Sequence, residues 1–420
     1  MAVTSLPRLR SEDSSTGDSA LRRALHRGER RRSWLSLALI APLVLFLVAN
    51  FFAPIVMLLA RAVTDREVTE AWPRTAAALR EWHGEQLPDE GIMRLFVEEL
   101  AAARARDKLS AAANRLNYDL PGARSLVLRT ASALPVTAQS APLAALNAID
   151  PRWGERRTWT AIQQASGPYT PFYLLATLDL RRDADGEILR TAANEAVFID
   201  VLARTFWISA VVALLCAVLG YPLAYVMAGL PERYANLLLI LVLLPFWTSV
   251  LVRTTAWMVL LQDRGLINEL LTRLGVIAEP LELIYNRSGV YIAMTHVLLP
   301  YFVLPLYGVM KRVPPATMRA ALSLGATPAQ AFWRVYFPQT RPGVAAGALI
   351  VFILGLGYYI TPALVGGAAD QMISHFIAFY TNQSLNWGMA AALSLLLLFA
   401  TSLLLLLYWR IAGQRELAMR

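Results

Sequence analysis

The side chains that ordinarily carry covalent or metal chemistry are few in this chain and far apart. The single cysteine, Cys216, lies inside an apolar run, where it supports neither a disulfide nor a thiolate metal site. His26, His83, His296 and His375 stand at no ligand spacing. Lys108 and Lys311 are the only lysines, and neither ends a G-x-x-x-x-G-K loop, so the chain has no phosphate cradle for ATP. Glu98 and Glu99 read as a solvated helix face, and Asp183 with Asp185 as a turn. No nucleophile–base or metal set emerges, which argues against an enzyme. Two groups of residues are left. One is a tightly patterned polar segment between apolar runs. The other is a set of hydroxyl, aromatic and cationic side chains placed within those runs.

The patterned segment is Arg319 to Gly343, RAALSLGATPAQAFWRVYFPQTRPG. Ala320 to Leu324 is made of good helix formers. Gly325 stands where a helix ends in a left-handed residue. Thr327, Pro328 and Gln330 have the spacing of a capping box with proline at the first helical position. Ala331, Phe332 and Val335 then share one face. Pro338 is expected to stop this helix, and Pro342-Gly343 to turn the chain. Arg319, Arg334 and Arg341 add positive charge.

The elements that position these groups follow from composition. Of 420 residues, 56% are hydrophobic and only 16% charged, and the mean hydropathy is +0.46. Soluble chains are nearer a quarter charged. The class is therefore an all-α integral membrane protein. The net charge of +9 reflects arginines beside apolar runs, as membrane topology demands, and no nucleic-acid motif accompanies it.

In order, residues 1–33 form an Arg-rich tail and 34–60 a first span, bent at Pro42 and Pro54. Residues 61–195 are charged and proline-punctuated, a mixed or mostly helical insert with helical periodicity at Phe96–Leu116. Further runs cover Val197–Leu230, Leu237–Leu261, Gly289–Met310, Val344–Val365 and Gly388–Trp409, and 412–420 is a tail. Six spans with the N-terminus inside put the tails, the Arg233 turn and the polar segment 313–343 in the cytoplasm. The 61–195 insert and the loops 262–288 and 366–387 then lie outside.

Polar groups within membrane runs are costly and face a cavity or another helix. Candidates for lining a passage are Thr248, Arg253, Thr255, His296, Tyr358 and Tyr359, with Ser249, Thr254, Thr295 and Thr361 beside them and Trp247, Trp257 and Tyr301 as aromatic company. A cation over such rings gains about 0.5–2 kcal/mol. Asp200 is the only acid within these runs and lies at an end. Each candidate also has a structural reading. Hydroxyls satisfy their own helix, Trp and Tyr mark the interface, and Arg253 can snorkel to it.

The polar segment resembles the EAA loop of binding-protein-dependent ABC importer permeases of type I. Ala320, Ala321, Gly325, Ala326, Phe332, Val335 and Pro338 match the pattern in register, while Arg319 stands where that family has Glu and Phe337 where it has Leu. The strings LPFWTSVLVRTTAWMVLL (244–261), GLIN (265–268), LPYFVLPLY (299–307) and GYYITPALVGG (357–367) are similar to the spermidine/putrescine branch. Relatives in that branch often have an acid where this chain has Tyr358-Tyr359. The resemblance covers 196–411 and implies a MetI-like architecture of six transmembrane helices, here with a large extracytoplasmic insertion after the first. It implies a bacterial inner-membrane permease subunit with both termini inside, no cofactor of its own, and ATP bound by partner ATPase subunits. A second permease, identical or homologous, and a periplasmic solute-binding protein complete the assembly. Arg319, Ala320, Ala321, Gly325, Ala326, Phe332, Arg334, Val335 and Pro338 would dock the ATPase, and the cargo would be a polyamine or related small amine. Another small organic solute, or an ATPase-independent transporter or channel, is the alternative.

Overall fold

The computed structural model of the protein describes residues 39–133, 141–183 and 186–417. The expected tail at 1–33 and the first residues of the first run lie outside them. That run is helical from Leu39 to Ala60 (α1) and apolar except for Asn50, whose side-chain amide donates to the Phe46 carbonyl of its own helix (3.0 Å). A π-helical stretch, Val48–Phe52, ends two residues before Pro54, whose missing N–H interrupts the α-helical ladder. Helix α1 belongs to one compact unit, and everything from Arg61 onward to a second.

The second unit begins with the insert. Its helices are α2 (Glu67–Ala71), α3 (Pro73–Glu81), α4 (Glu90–Ala105), α5 (Leu109–Asp119), α6 (Ala123–Ala133), α7 (Pro142–Ile149), α8 (Arg156–Gln164) and α9 (Phe172–Thr177). A hairpin of β1 (Leu180–Arg182) and β2 (Ile188–Arg190) closes it. The Phe96–Leu116 periodicity resolves into two helices, because Asp107 takes a positive φ of 58° between them. Trp72, Phe96, Trp153 and Trp159 form the buried centre, with Phe96 5.1 Å from Trp72 and 5.0 Å from Trp153. Both central indoles of the C-terminal half are satisfied. Trp153 Nε1 donates to Thr130 Oγ1 (2.9 Å) and Trp159 Nε1 to the Trp153 carbonyl (2.8 Å).

Glu99 corrects the reading of a solvated acidic face. It is buried, and its carboxylate accepts the backbone N–H groups of Arg74 and Thr75, both at 2.9 Å. Those donors belong to the first turn of α3, which has no side-chain cap at its own N-cap residue, so a carboxylate there satisfies both the orphan donors and the helix dipole.

The bundle follows as α10 (Phe198–Gly229), α11 (Glu232–Leu243), α12 (Val250–Leu260), α13 (Leu266–Arg273), α14 (Arg287–Met310), α15 (Pro315–Ser323), α16 (Pro328–Leu356), α17 (Ile360–Val365), α18 (Ile373–Asn382) and α19 (Trp387–Leu417). Among the described residues, α1, α10, α14, α16 and α19 are long and apolar enough to cross a membrane. A sixth crossing results if α11 and α12 count as one bent span.

Helices α10, α14 and α16 form the buried heart, centred on Phe302, Leu298, Val303 and Val351. Glycine lets them approach. A Cβ on Gly220 would come within 2.7 Å of Phe302 Cδ1, and one on Gly347 within 2.8 Å of the Phe302 carbonyl oxygen.

The insert is fastened to this bundle at two places. Asp179 stands immediately before β1 and accepts the N–H groups of Val197, Phe198 and Ile199 at 3.0, 3.0 and 2.8 Å, so it caps α10. The Tyr173 ring of α9 lies against Gly388 at the start of α19, where no side chain fits.

Candidate functional site

The polar segment is a hairpin between spans. Helix α15 runs Pro315–Ser323, earlier than Ala320–Leu324, because Pro315 sits in its first turn. Gly325 has φ +88°. Its N–H donates to the Leu322 carbonyl (3.0 Å) and that of Ala326 to the Ala321 carbonyl (3.1 Å), the paired bonds of a Schellman end. Thr327 Oγ1 accepts the Gln330 N–H (3.3 Å) and Gln330 Oε1 accepts the Thr327 N–H (3.1 Å), a complete capping box.

Pro338 does not stop the helix, and Pro342-Gly343 does not turn it. Helix α16 continues from Pro328 to Leu356. It passes through a π-helical stretch, Phe332–Tyr336, after which Pro338 falls in the first turn of restarted α-helix, where its missing donor costs little. Gln339 Nε2 donates to the Val335 carbonyl (2.8 Å) and Thr340 Oγ1 to the Phe337 carbonyl (2.9 Å), serving oxygens around the proline positions.

The π stretch turns Phe332 toward α10. Its ring meets Tyr221 at 6.0 Å and Tyr225 at 5.6 Å, both nearly perpendicular. Tyr221 also shares a hydrogen bond with Thr340 (3.0 Å). Ala331 is buried, and Ala321, Ala326, Phe332, Val335 and Pro338 are half-buried. Arg319, Ala320 and Arg334 are exposed, with Trp333 61% and Leu324 90% exposed between them. The hairpin is thus anchored by one face and offers the other.

The second group gathers at a break. The Leu237–Leu261 run is not one straight helix. Its two parts meet at 99° around Trp247–Val250. Pro245 opens a short 3-10 turn, Leu244–Trp247, and Thr248 is extended. Arg253 does not reach outward. It is buried, at 8% exposure, and donates from Nε to Thr248 Oγ1 (3.3 Å) and from Nη2 to the Thr248 carbonyl (2.8 Å), filling an acceptor that the break leaves open.

The Val344–Val365 run is also two pieces, since α16 ends at Leu356 and α17 begins at Ile360. Thr254 and Thr361 share a hydrogen bond at 3.1 Å, tying α12 to α17. Trp257 Nε1 donates to His296 Nδ1 (3.1 Å), which requires Nδ1 to be the unprotonated nitrogen. Thr255 bonds its own helix at the Leu251 carbonyl and is exposed. Tyr358 is half-buried and Tyr359 exposed, in the turn between α16 and α17. The structure therefore brings Thr248 with Arg253, and His296 with Trp257, while Thr255 stands apart.

The contacts of Asp179, Tyr221 and Tyr225 are not legible in the sequence. Asp179 lies far from any capping spacing to α10, since the β-hairpin intervenes, and the two tyrosines follow helical spacing like any core pair. Outside the spans, the Glu232 carboxylate bonded to Lys311 Nζ (3.3 Å), with the Tyr307 ring beside it, holds that ammonium above its ordinary pKa.

Residues 220–413 match the family described as binding-protein-dependent transport system inner membrane component. The chain is 36% identical over 216 residues to the spermidine/putrescine transport system permease protein PotB of Salmonella typhimurium, covering 51% of this chain and 75% of that one. It is 36% identical over 220 residues to the protein of the same description from Escherichia coli, covering 52% and 80%. Among solved structures, a bacterial alginate ABC transporter in complex with an alginate pentasaccharide-bound periplasmic protein aligns with TM-score 0.44 and 17% identity, over 52% of this chain and 78% of that chain. On the family match and the 36% identity to the two permeases, and with several apolar spans, the chain belongs to the family of multi-pass inner-membrane components of binding-protein-dependent transport systems.

Proposed function

We propose that this chain is the membrane-spanning permease of an ATP-driven importer that takes a small organic solute from a periplasmic binding protein. The hairpin α15–α16 carries the proposal. It is capped at both the Schellman turn and the capping box, exposed on one face, and keyed through Phe332 to α10 of the bundle. A partner ATPase pushing on it moves α10 and α16 together, and the chain needs no nucleotide site of its own. In this reading Arg319, Ala320, Ala321, Gly325, Ala326, Arg334 and Val335 meet or support the ATPase, the tails and the hairpin lie in the cytoplasm, and the 61–195 insert faces the periplasm. A second permease copy or homologue completes the passage.

The relatives named for spermidine and putrescine support a polyamine or similar amine as cargo. A second reading, another small organic solute, is favoured by the charge around the broken span. Residues 233–262, which hold the break, contain no Asp or Glu, and Arg253 is bonded to Thr248 across it. Affinity capture of the full chain, followed by calorimetry on the co-purifying binding protein, tests both parts. An ATPase in the captured complex is expected. A chain that moves solute unaided in liposomes would instead be a secondary transporter or channel.

A further inference from the structure

We infer that the hairpin α15–α16 fits a partner groove rimmed by carboxylates, so that this chain selects its ATPase by charge. The inference rests on the docking role proposed above. The surface around the hairpin carries Lys311, Arg312, Arg319, Arg334 and Arg341, with Arg233 at the start of α11, and all are exposed. Among the described residues only Lys311 of this group has an ion-pair partner, Glu232 at 3.3 Å. Arg341 lies over the Phe337 ring at 5.6 Å, which leaves its charge uncompensated. Interleaved with the cations are exposed apolar side chains, Leu322, Leu324 and Trp333.

This combination specifies the occupant. Apolar side chains held in place by a Schellman turn and a capping box need an apolar floor. Guanidinium forks around them match carboxylates in fixed, bidentate geometry. A groove with an apolar floor and an acidic rim offers both. A layer of anionic lipid headgroups offers charge but no fixed geometry. Charges at such a rim act mainly on the association rate and on its salt dependence.

The test uses the full chain in nanodiscs of neutral phosphatidylcholine and the ATPase that co-purifies with it. Arg319→Glu combined with Arg334→Glu is expected to slow association about 10-fold at low salt. The difference should vanish near ~1 M salt, where screening shortens to about 3 Å. Arg319→Gln with Arg334→Gln should fall between. Gly325→Val, which disrupts the turn, should lose binding at every salt concentration. If the charge reversals bind as the parent does while Gly325→Val fails, docking stands and charge selection is overturned. If Gly325→Val also binds normally, docking itself is overturned. A charge effect seen only in discs containing phosphatidylglycerol would assign the surface to lipid headgroups and overturn the inference.

Discussion

Phe332 of α16 meets Tyr225 of α10 edge to face, with ring centroids 5.6 Å apart and planes at 89°. One turn earlier on α10, Tyr221 meets the same ring at 6.0 Å and 88°. Such pairs contribute about 0.5–1.5 kcal/mol each beyond their buried area. They make the hairpin and α10 one mechanical piece. Helix α10 has 32 residues, so it is about 48 Å long. Its first turn is capped by Asp179 of the insert. Phe332 is therefore joined to the insert through one continuous helix, which carries Pro222 beside the Tyr221 contact.

Phe332→Ala is expected to uncouple this piece. The side chain is half-buried, so the loss of stability should be about 1–3 kcal/mol, below the range for a full core phenylalanine. ATPase association should persist while transport per ATP hydrolysed falls several-fold. Proteoliposomes with the reconstituted complex measure the ratio, and an unchanged ratio would contradict the coupling.

At Gly325 the backbone alone sets the requirement. A Cβ there meets nothing within 4 Å, yet φ is +88°. Gly325→Val should cost about 1–3 kcal/mol of local strain, with loss of ATPase association and normal membrane insertion. Gly325→Asn, which tolerates the left-handed region, should retain most of the association. Equal loss in both variants would mean that the turn does not govern docking.

Two further glycines separate close packing from flexibility. Gly347→Val drives a side chain into the Phe302 backbone and should lower bundle stability by at least about 1–3 kcal/mol. Gly308, also inside a helix, has open space where its Cβ would be. Gly308→Ala should be neutral or stabilising by up to about 1 kcal/mol. Thermal unfolding in detergent reads both, and similar melting shifts for the two variants would refute the packing account.

The insert carries a pH dependence. Hydrogen bonds from Arg152, with the charge of Arg129 added, hold the Asp150 carboxyl below its ordinary range. A depressed folded pKa stabilises above the unfolded value of about 3.9 and loses that stabilisation as pH falls through the folded value. Asp150→Asn should therefore be less stable than the parent at pH 7, with the gap narrowing below about pH 4. Fluorescence melting curves of the full chain across pH 3–7 test this, since Trp153 is buried three residues away. A constant gap over that range would exclude the ionic contribution.

Legibility in the sequence followed how local each device is. Gly325, Thr327 and Gln330 act within a few residues, so spacing alone exposes the Schellman end and the capping box. Apolar runs likewise mark α10, α14 and α19. The proline at 338 misleads because a π-helical stretch ahead of it removes its usual cost, and nothing in FWRVY announces that stretch. Leu237–Leu261 reads as one apolar run because hydropathy does not register that Arg253 bonds back to Thr248 across a break. Glu99 looks solvated beside Glu98 because its partners, the N–H groups of Arg74 and Thr75, are distant in sequence. Asp179 escapes notice for the same reason. The residues around the break are placed as a group by periodicity, but their pairing, His296 with Trp257 and Thr254 with Thr361, is a tertiary fact.

The most direct test is a photo-reactive amino acid placed at Leu324 or Arg334 of the full chain in intact cells. Irradiation should yield a covalent adduct to a nucleotide-binding subunit from both positions, and the same group at Val259, exposed on the far segment of the broken span, should yield none. Adducts only to lipid, or to no ATPase at either hairpin position, would contradict the claim that this hairpin receives the work of ATP hydrolysis.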